Sequence, residues 1–243
     1  MNREHFYSIM NGDGTKDYEL YLNTKALLSC QKDFHEFCNA DELQFQVAHQ
    51  VEELWMKLIG YTLLDIDDYL QVEKTNRVIT LFRRVHIAEK LMIDQLALLE
   101  TMSPKEYQQI RLALGNGSGQ ESPGFRTILK MPAPLWDSFK AYYLDAHQLT
   151  LEQVYNSKYD HGDPYVVAEA LAEFDELFQK FRYHHLQLIH RSIGLGAKSL
   201  KGRAVELLDE GLRTQFFPEL WEIRNKMTDQ WGTQYGVVRE PLH

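Results

Sequence analysis

Three groups of side chains, far apart in the chain, have types and spacings that chemistry could use. In the segment 41–57, Asp-Glu-Leu-Gln-Phe-Gln-Val-Ala-His-Gln-Val-Glu-Glu-Leu-Trp-Met-Lys, the residues Phe45, His49 and Met56 recur at helical steps and line one stripe. A stripe of that composition should be buried, and a buried imidazole costs free energy unless something hydrogen-bonds to it. His49 therefore reads either as a core histidine satisfied by a backbone carbonyl or as a polar group held inside a pocket. Much later, Leu177, Phe181, His185, Leu188 and Ser192 share a second stripe, with His184 turned about 100° away from it. His185 is thus the inward imidazole of the pair. It is a satisfied core histidine or a metal ligand, and haem iron asks for only one such group from a helix. The third group is Tyr107 and Arg111, one turn apart on a short helix that runs into a glycine-rich stretch. That arginine is either a solvated charge at a helix end or a two-pronged anchor for a carboxylate. In the second case the adjacent flexible segment can close over a small ligand.

Other chemistries find little support. A di-iron bundle would carry Glu-x-x-His twice, and a zincin His-Glu-x-x-His; the chain has neither. There is no P-loop, no Gly-x-Ser-x-Gly and no Cys-x-x-Cys. The net charge of −9, without a basic cluster, argues against nucleic acid. No apolar run approaches the ~20 residues of a membrane span. The N-terminal residues lack the apolar core of a signal peptide, and the two cysteines, Cys30 and Cys38, suggest no disulfide framework, so the cytosol is the expected location.

The elements that must position these groups are helices. Apolar periodicity predicts helices near 16–38, 40–72, 76–101, 104–114, 134–156, 164–193, 203–215 and 217–230. Asn39 with Glu42 offers a capping box for the second, and Ser103-Pro104-Lys105-Glu106 a stronger one for the fourth. Asp163-Pro164 opens the long helix that Gly194 ends. The stretches 115–124, 157–164 and 194–202 read as loops, and none looks like a domain boundary. Trp221, in the amphipathic segment 216–224, reads as packing. The expectation is an all-α fold and one domain spanning residues 1–243.

Six ordered motifs resemble the tryptophan 2,3-dioxygenase superfamily of haem-dependent aromatic oxygenases. They are Tyr18-x-x-Tyr21-Leu22…Leu27-Leu28-x-x-Gln31; Asp41-Glu42-Leu43…His49-Gln50…Glu53-Leu54-Trp55-x-Lys57; and Met102-x-Pro104-x-x-Tyr107-x-x-x-Arg111. Ser118-Gly119…Ser122…Phe125-Arg126, His185…Arg191-x-Ile193-Gly194 and Phe217-Pro218-Glu219-Leu220-Trp221-x-x-Arg224 complete the set. The resemblance implies a haem b pocket between long helices, with His185 as the axial iron ligand. It also implies a distal His49 that contacts an indole N–H, Phe45 packed on the indole ring, and Tyr107 and Arg111 on the carboxylate of a small aromatic amino acid. Tyr18, Tyr21 and Leu22 resemble residues of an N-terminal arm (1–38) that reaches into a neighbouring subunit of a homo-oligomer, a tetramer or dimer. The implied reaction inserts O2, the co-substrate, into the indole ring of L-tryptophan or a close derivative, giving an N-formylkynurenine-type product.

Two segments depart from the family pattern. Where the family has a Gly-Thr-Gly-Gly-Ser loop, this chain reads Gly196-Ala197-Lys198-Ser199-Leu200-Lys201-Gly202. Ser199 aligns with the threonine and keeps a hydroxyl for the substrate, but its neighbours have lost the freedom of glycine. Where the family has Ser-Gly-Phe-Gln-Ser, this chain has Ser118-Gly119-Gln120-Glu121-Ser122, without the aromatic. Monooxygenation of a substituted tryptophan, another indole or tyrosine is therefore a competing expectation, and a non-catalytic haem-binding protein a third.

Overall fold

The computed structural model describes residues 1–156, 160–196, 198, 200, 202, 214–230, 232 and 236. Among these residues there are helices and turns and no strand. The helices are α1 (Arg3–Met10), α2 (Asp17–Leu22), α3 (Thr24–Leu27), α4 (Glu42–Leu70), α5 (Thr75–Leu99) and α6 (Pro104–Leu114). They continue as α7 (Pro123–Ile128), α8 (Pro132–Phe139), α9 (Leu151–Tyr155), α10 (Asp163–Ile193) and α11 (Pro218–Asp229). Residues 203–213 of the helix expected over 203–215, and Ser199, lie outside the described residues; 214 and 215 are not helical. Among the described residues no helix is long and apolar enough to cross a membrane.

Three long helices carry the framework. Helix α5 packs along both α4 and α10, while α4 and α10 make little direct contact with one another. The shared core includes Leu63 and Ile66 of α4, Phe82 and Met92 of α5, and Phe174 and Phe178 of α10, all essentially without solvent exposure. His86 of α5 hydrogen-bonds the Ala170 carbonyl of α10 at 3.0 Å, so its buried ring is satisfied across the interface. Helix α11 is latched from beneath by Asp175. That carboxylate accepts the Phe216 and Phe217 amides at 2.8 and 3.1 Å and the Trp221 indole N–H at 2.8 Å. Trp221 is thus a packing residue with its one polar atom satisfied.

Several expectations about local structure are corrected. The helix expected over 16–38 is broken: Asn23 takes a left-handed conformation (φ 52°) between α2 and α3, and helical structure ends at Leu27. Asparagine tolerates that region better than other non-glycine residues, which is why the break falls there. The following strand-less stretch folds back on α4, with Gln50 donating to the Cys30 carbonyl (3.1 Å) and Gln46 accepting the Lys32 amide (3.0 Å). Cys30 and Cys38 are both exposed free thiols. This docking also removes the capping box expected from Asn39 and Glu42. The Glu42 carboxylate takes the Lys32 ammonium and the Cys38 amide instead, stronger partners than its own helix end, and Asp41 stands at the N-cap without a side-chain cap. Asn39 turns its amide to the Glu106 carbonyl and the Gln109 side chain, both at 3.0 Å, joining the starts of α4 and α6.

The expected helix over 134–156 is likewise interrupted. Helix α8 passes into a π turn at Lys140–Leu144 and a 3-10 turn at Asp145–His147. The chain stops at Gln148 (φ 54°) before Thr150 and Gln153 cap α9. The π turn brings Tyr143 into the core, where its hydroxyl meets Thr75 at 3.0 Å. The loop expected over 115–124 is partly ordered: Gly119–Glu121 is a 3-10 turn, and α7 begins at Pro123 with Ser122 as its N-cap.

Candidate active site

The first wall of the site is the N-terminal half of α4. The His49 Nδ1 atom lies 2.7 Å from the Phe45 carbonyl one turn earlier. A carbonyl can only accept, so Nδ1 carries the proton and Nε2 is left with a free lone pair. Phe45 packs on the imidazole with ring centroids 4.1 Å apart. Burial lowers the pKa of His49, opposed by the Phe45 carbonyl and by the charge of Glu53, so the ring is neutral at pH 7.

Helix α6 supplies the second side. Its Ser103–Glu106 capping box forms as expected and sets where the helix begins. From that start Tyr107 faces Phe45, with ring centroids 6.4 Å apart, and burial raises the pKa of its phenol. Arg111, one turn on, donates to Gln108 (3.4 Å) and to the Lys198 carbonyl (2.5 Å). Among the described residues no carboxylate pairs with it. A guanidinium has five N–H donors in a planar fork, so donors remain for an external acid.

The opposite wall is the last third of α10. His185 lies in the shadow of Phe181, with ring centroids 6.3 Å apart. Burial, then the imidazoles of His49 and His184, bring its pKa down to about 4. The two helices that carry His49 and His185 make little direct contact, and the His49 imidazole is near enough to His185 to oppose its protonation. His184 is turned elsewhere, to Glu100 at 2.7 Å. Among the described residues neither nitrogen of His185 has a hydrogen-bond partner.

A floor closes this gap from one side. The segment 118–124 runs from His185, where a methyl at Gly119 would sit 3.9 Å from Cε1, to the outer face of α4. There Gly124 donates its amide to Glu53 at 3.0 Å. The structure thus brings together Phe45, His49, Tyr107, Arg111 and His185. Ser199 lies outside the described residues. Tyr18, Tyr21 and Leu22 are not brought to the site; they are 72, 90 and 45 % exposed on α2.

The arrangement matches a sequence family. Residues 7–131 match the family model for tryptophan 2,3-dioxygenase, a span that contains Phe45, His49, Tyr107 and Arg111. The chain belongs to the tryptophan 2,3-dioxygenase family. Among its relatives, the tryptophan 2,3-dioxygenase of Serratia proteamaculans is 28 % identical, the alignment covering 93 % of this chain and 99 % of that protein. The tryptophan 2,3-dioxygenase of Myxococcus xanthus is also 28 % identical over 88 % of this chain and 91 % of its own. That of Arthrobacter sp. is 26 % identical over 86 % and 91 % respectively.

The family implies haem, and the residues present fit it. An iron ligand must be a neutral imidazole with a free nitrogen, and the half-buried His185 meets both conditions. Among the described residues no group of three or more His, Cys, Asp or Glu side chains could hold a metal by itself. Sequence reasoning passed over two parts of the site, the Glu53–Gly124 link and the approach of Gly119 to His185. Glu53 was legible in one respect, since it stands one turn after His49 and so shares its face.

Proposed function

We propose that this enzyme is a haem-dependent dioxygenase that opens the indole ring of L-tryptophan or a close derivative with O2. The observation that carries the reading is the pairing of two neutral histidines across one gap, beside an arginine with no acid partner, in a chain of this family. Arg111 receives the substrate carboxylate with its free N–H donors, and the Tyr107 hydroxyl lies beside it to donate another hydrogen bond. Anchored there, the aromatic side chain lies along Phe45, whose ring offers an apolar face. His49 then acts through Nε2, which is an acceptor because Nδ1 is committed to the Phe45 carbonyl, and so holds the indole N–H. It fixes the orientation of the ring and is poised to take that proton as the indole is oxidised. His185 would hold the haem iron, and haem, when bound, would supply the activation of O2. The half-buried histidines and Phe45 give the reacting ring a partly apolar setting.

The exposed Tyr18, Tyr21 and Leu22 reach, on this reading, into the pocket of a neighbouring subunit in a homotetramer of a cytoplasmic enzyme, and the Ser199 hydroxyl meets the amino-acid end of the substrate. A single domain, 1–243, carries the activity, with 1–38 as its arm.

The test is turnover. Protein loaded with haem b, reduced without air and then given L-tryptophan and O2, is expected to yield a product heavier by two oxygen atoms by mass spectrometry. A product heavier by one oxygen atom would make it a monooxygenase. No product from fully loaded, reduced protein, with L-tryptophan or its ring-substituted analogues, would overturn the enzymatic reading.

A further inference from the structure

The proximal and distal walls of the pocket belong to helices that barely touch. Helices α4 and α10 are both braced on α5, and α6 leans on α10, but the gap between His49 and His185 has few direct crossings. One of them is the segment 118–124, and its attachment to α4 is unusual. The Glu53 carboxylate accepts the Gly124 amide at 3.0 Å at the first turn of α7. That amide is one of the helix-end donors that no turn of the helix itself can satisfy. The Ser122 hydroxyl accepts the Phe125 amide at 2.9 Å and lies 3.8 Å from the sulfur of Met56. The approach is as close as backbone allows: a Cβ at 124 would fall 2.6 Å from Met56 Cβ and 2.8 Å from Glu53 Oε2. Only glycine lets the chain lie at this depth. Five residues earlier the strap passes near His185: a Cβ at 119 would fall 3.9 Å from its Cε1.

We infer that Glu53 is a positioning residue: by holding the Gly124 amide it keeps the 118–124 strap taut between the His49 helix and His185, and so sets the spacing of the two pocket walls. Several features make the link more than local capping. The acid stands one turn from His49 on the same helix, so a displacement of the strap is read directly at the distal wall. A charged acceptor grips an amide more strongly than a neutral one does. At the other end, the strap passes beside the one imidazole in the site that has no hydrogen bond to orient it, close enough that a side chain at 119 would touch the ring. The strap would do for His185 what a hydrogen-bond partner does for a ligand histidine elsewhere.

The inference rests on the haem-oxygenase reading for its functional consequence, but its geometric content can be tested without haem. Amide hydrogen exchange over residues 118–128 of the haem-free chain, read by mass spectrometry, is compared for the parent, Glu53→Ala and Glu53→Gln. Loss of the acceptor is expected to speed exchange in that segment roughly tenfold, the factor for about 1.4 kcal/mol of lost hydrogen bonding, with helix α5 unchanged. Glutamine, whose amide oxygen can still accept, is expected to restore exchange to near the parent rate. Should Glu53→Ala fail to fold, Glu53→Met fills a similar volume without an acceptor and replaces it. In haem-loaded protein the acceptor-less variant is expected to release haem to apomyoglobin roughly tenfold faster and to show an altered histidine-ligation spectrum, both restored in Glu53→Gln. Unchanged exchange over 118–128 without the acceptor overturns the inference. So does Glu53→Gln behaving like Glu53→Ala, or a haem release rate indifferent to both. If the parent chain takes up no haem, the haem reading fails, while the exchange comparison still decides whether Glu53 holds the strap.

Discussion

Replacing Glu52 with glutamine should make the protein more stable in alkaline solution, by an amount that grows with pH. Glu52 follows His49 by three residues on α4 and is rotated from it toward Gln95 of α5. Only 7 % of it is exposed, and neither carboxylate oxygen makes a hydrogen bond. Gln95 donates one of its two side-chain N–H groups to the Ala48 carbonyl at 3.0 Å and opposes the effect of burial on Glu52 only in part. Burial holds the carboxyl protonated and raises its pKa from 4.5 to about 8. The folded protein therefore keeps a proton that the unfolded chain gives up, so stability declines as pH rises from about 4.5 to about 8 and is level outside that window. At about 1.4 kcal/mol per pH unit the interval sets a ceiling of about 5 kcal/mol. Relaxation and water penetration around a buried charge reduce such ceilings, and about 1–3 kcal/mol is the expected size. The glutamine side chain does not titrate, so any fixed cost of burying its amide shifts the whole curve and leaves the slope as the signal. Urea unfolding of parent and Glu52→Gln at several pH values, at equal haem occupancy, measures the difference. The advantage of the variant should grow steadily between pH 5 and 8. A difference that stays flat would show that the carboxyl is ionised or satisfied in solution, and the reasoning from burial would fail.

Three further outcomes follow from the site and its supports. His185→Ala should abolish histidine ligation of haem while the chain still folds, checked by absorption spectroscopy and circular dichroism; a normally ligated haem in the variant would refute the assignment. Arg111→Ala should lower kcat/KM by roughly 30-fold, the loss of about 2 kcal/mol from a charged hydrogen bond, chiefly through KM, and should do so only for substrates bearing a carboxylate. Asp175→Ala should destabilise the protein by about 2 kcal/mol, since three N–H groups, one buried and two half-buried, lose one acceptor, and should expose residues 214–230 to proteolysis before the rest of the chain.

Much of the long-helix framework was legible because it follows from period alone. The apolar repeat of 75–99 and 163–193, and the Ser103–Glu106 box, are local signals, and local interactions decide helix bounds there. The errors arose where a distant group outbid the local signal. Glu42 could have closed a capping box, but the fold offered it Lys32 and the Cys38 amide. The break at Asn23 and the π turn at 140–144 serve contacts that periodicity does not encode.

The site divides in the same way. The sequence by itself determined which residues could act, because Tyr107 and Arg111 share a turn and Phe45 and His49 share another, and a helix fixes those neighbours whatever it packs on. It also determined that His185, and not His184, faces the interior. It left His49 balanced between a satisfied core histidine and a pocket group, and the tertiary structure shows that both descriptions hold at once. The Phe45 carbonyl satisfies Nδ1, and that same bond leaves Nε2 with a free lone pair. Only the tertiary structure could bring His49 within reach of His185, some hundred and thirty residues later, and supply the strap from Gly119 to Glu53. Burial and the distance between helices arise from how three long elements pack, and no stretch of sequence carries them alone.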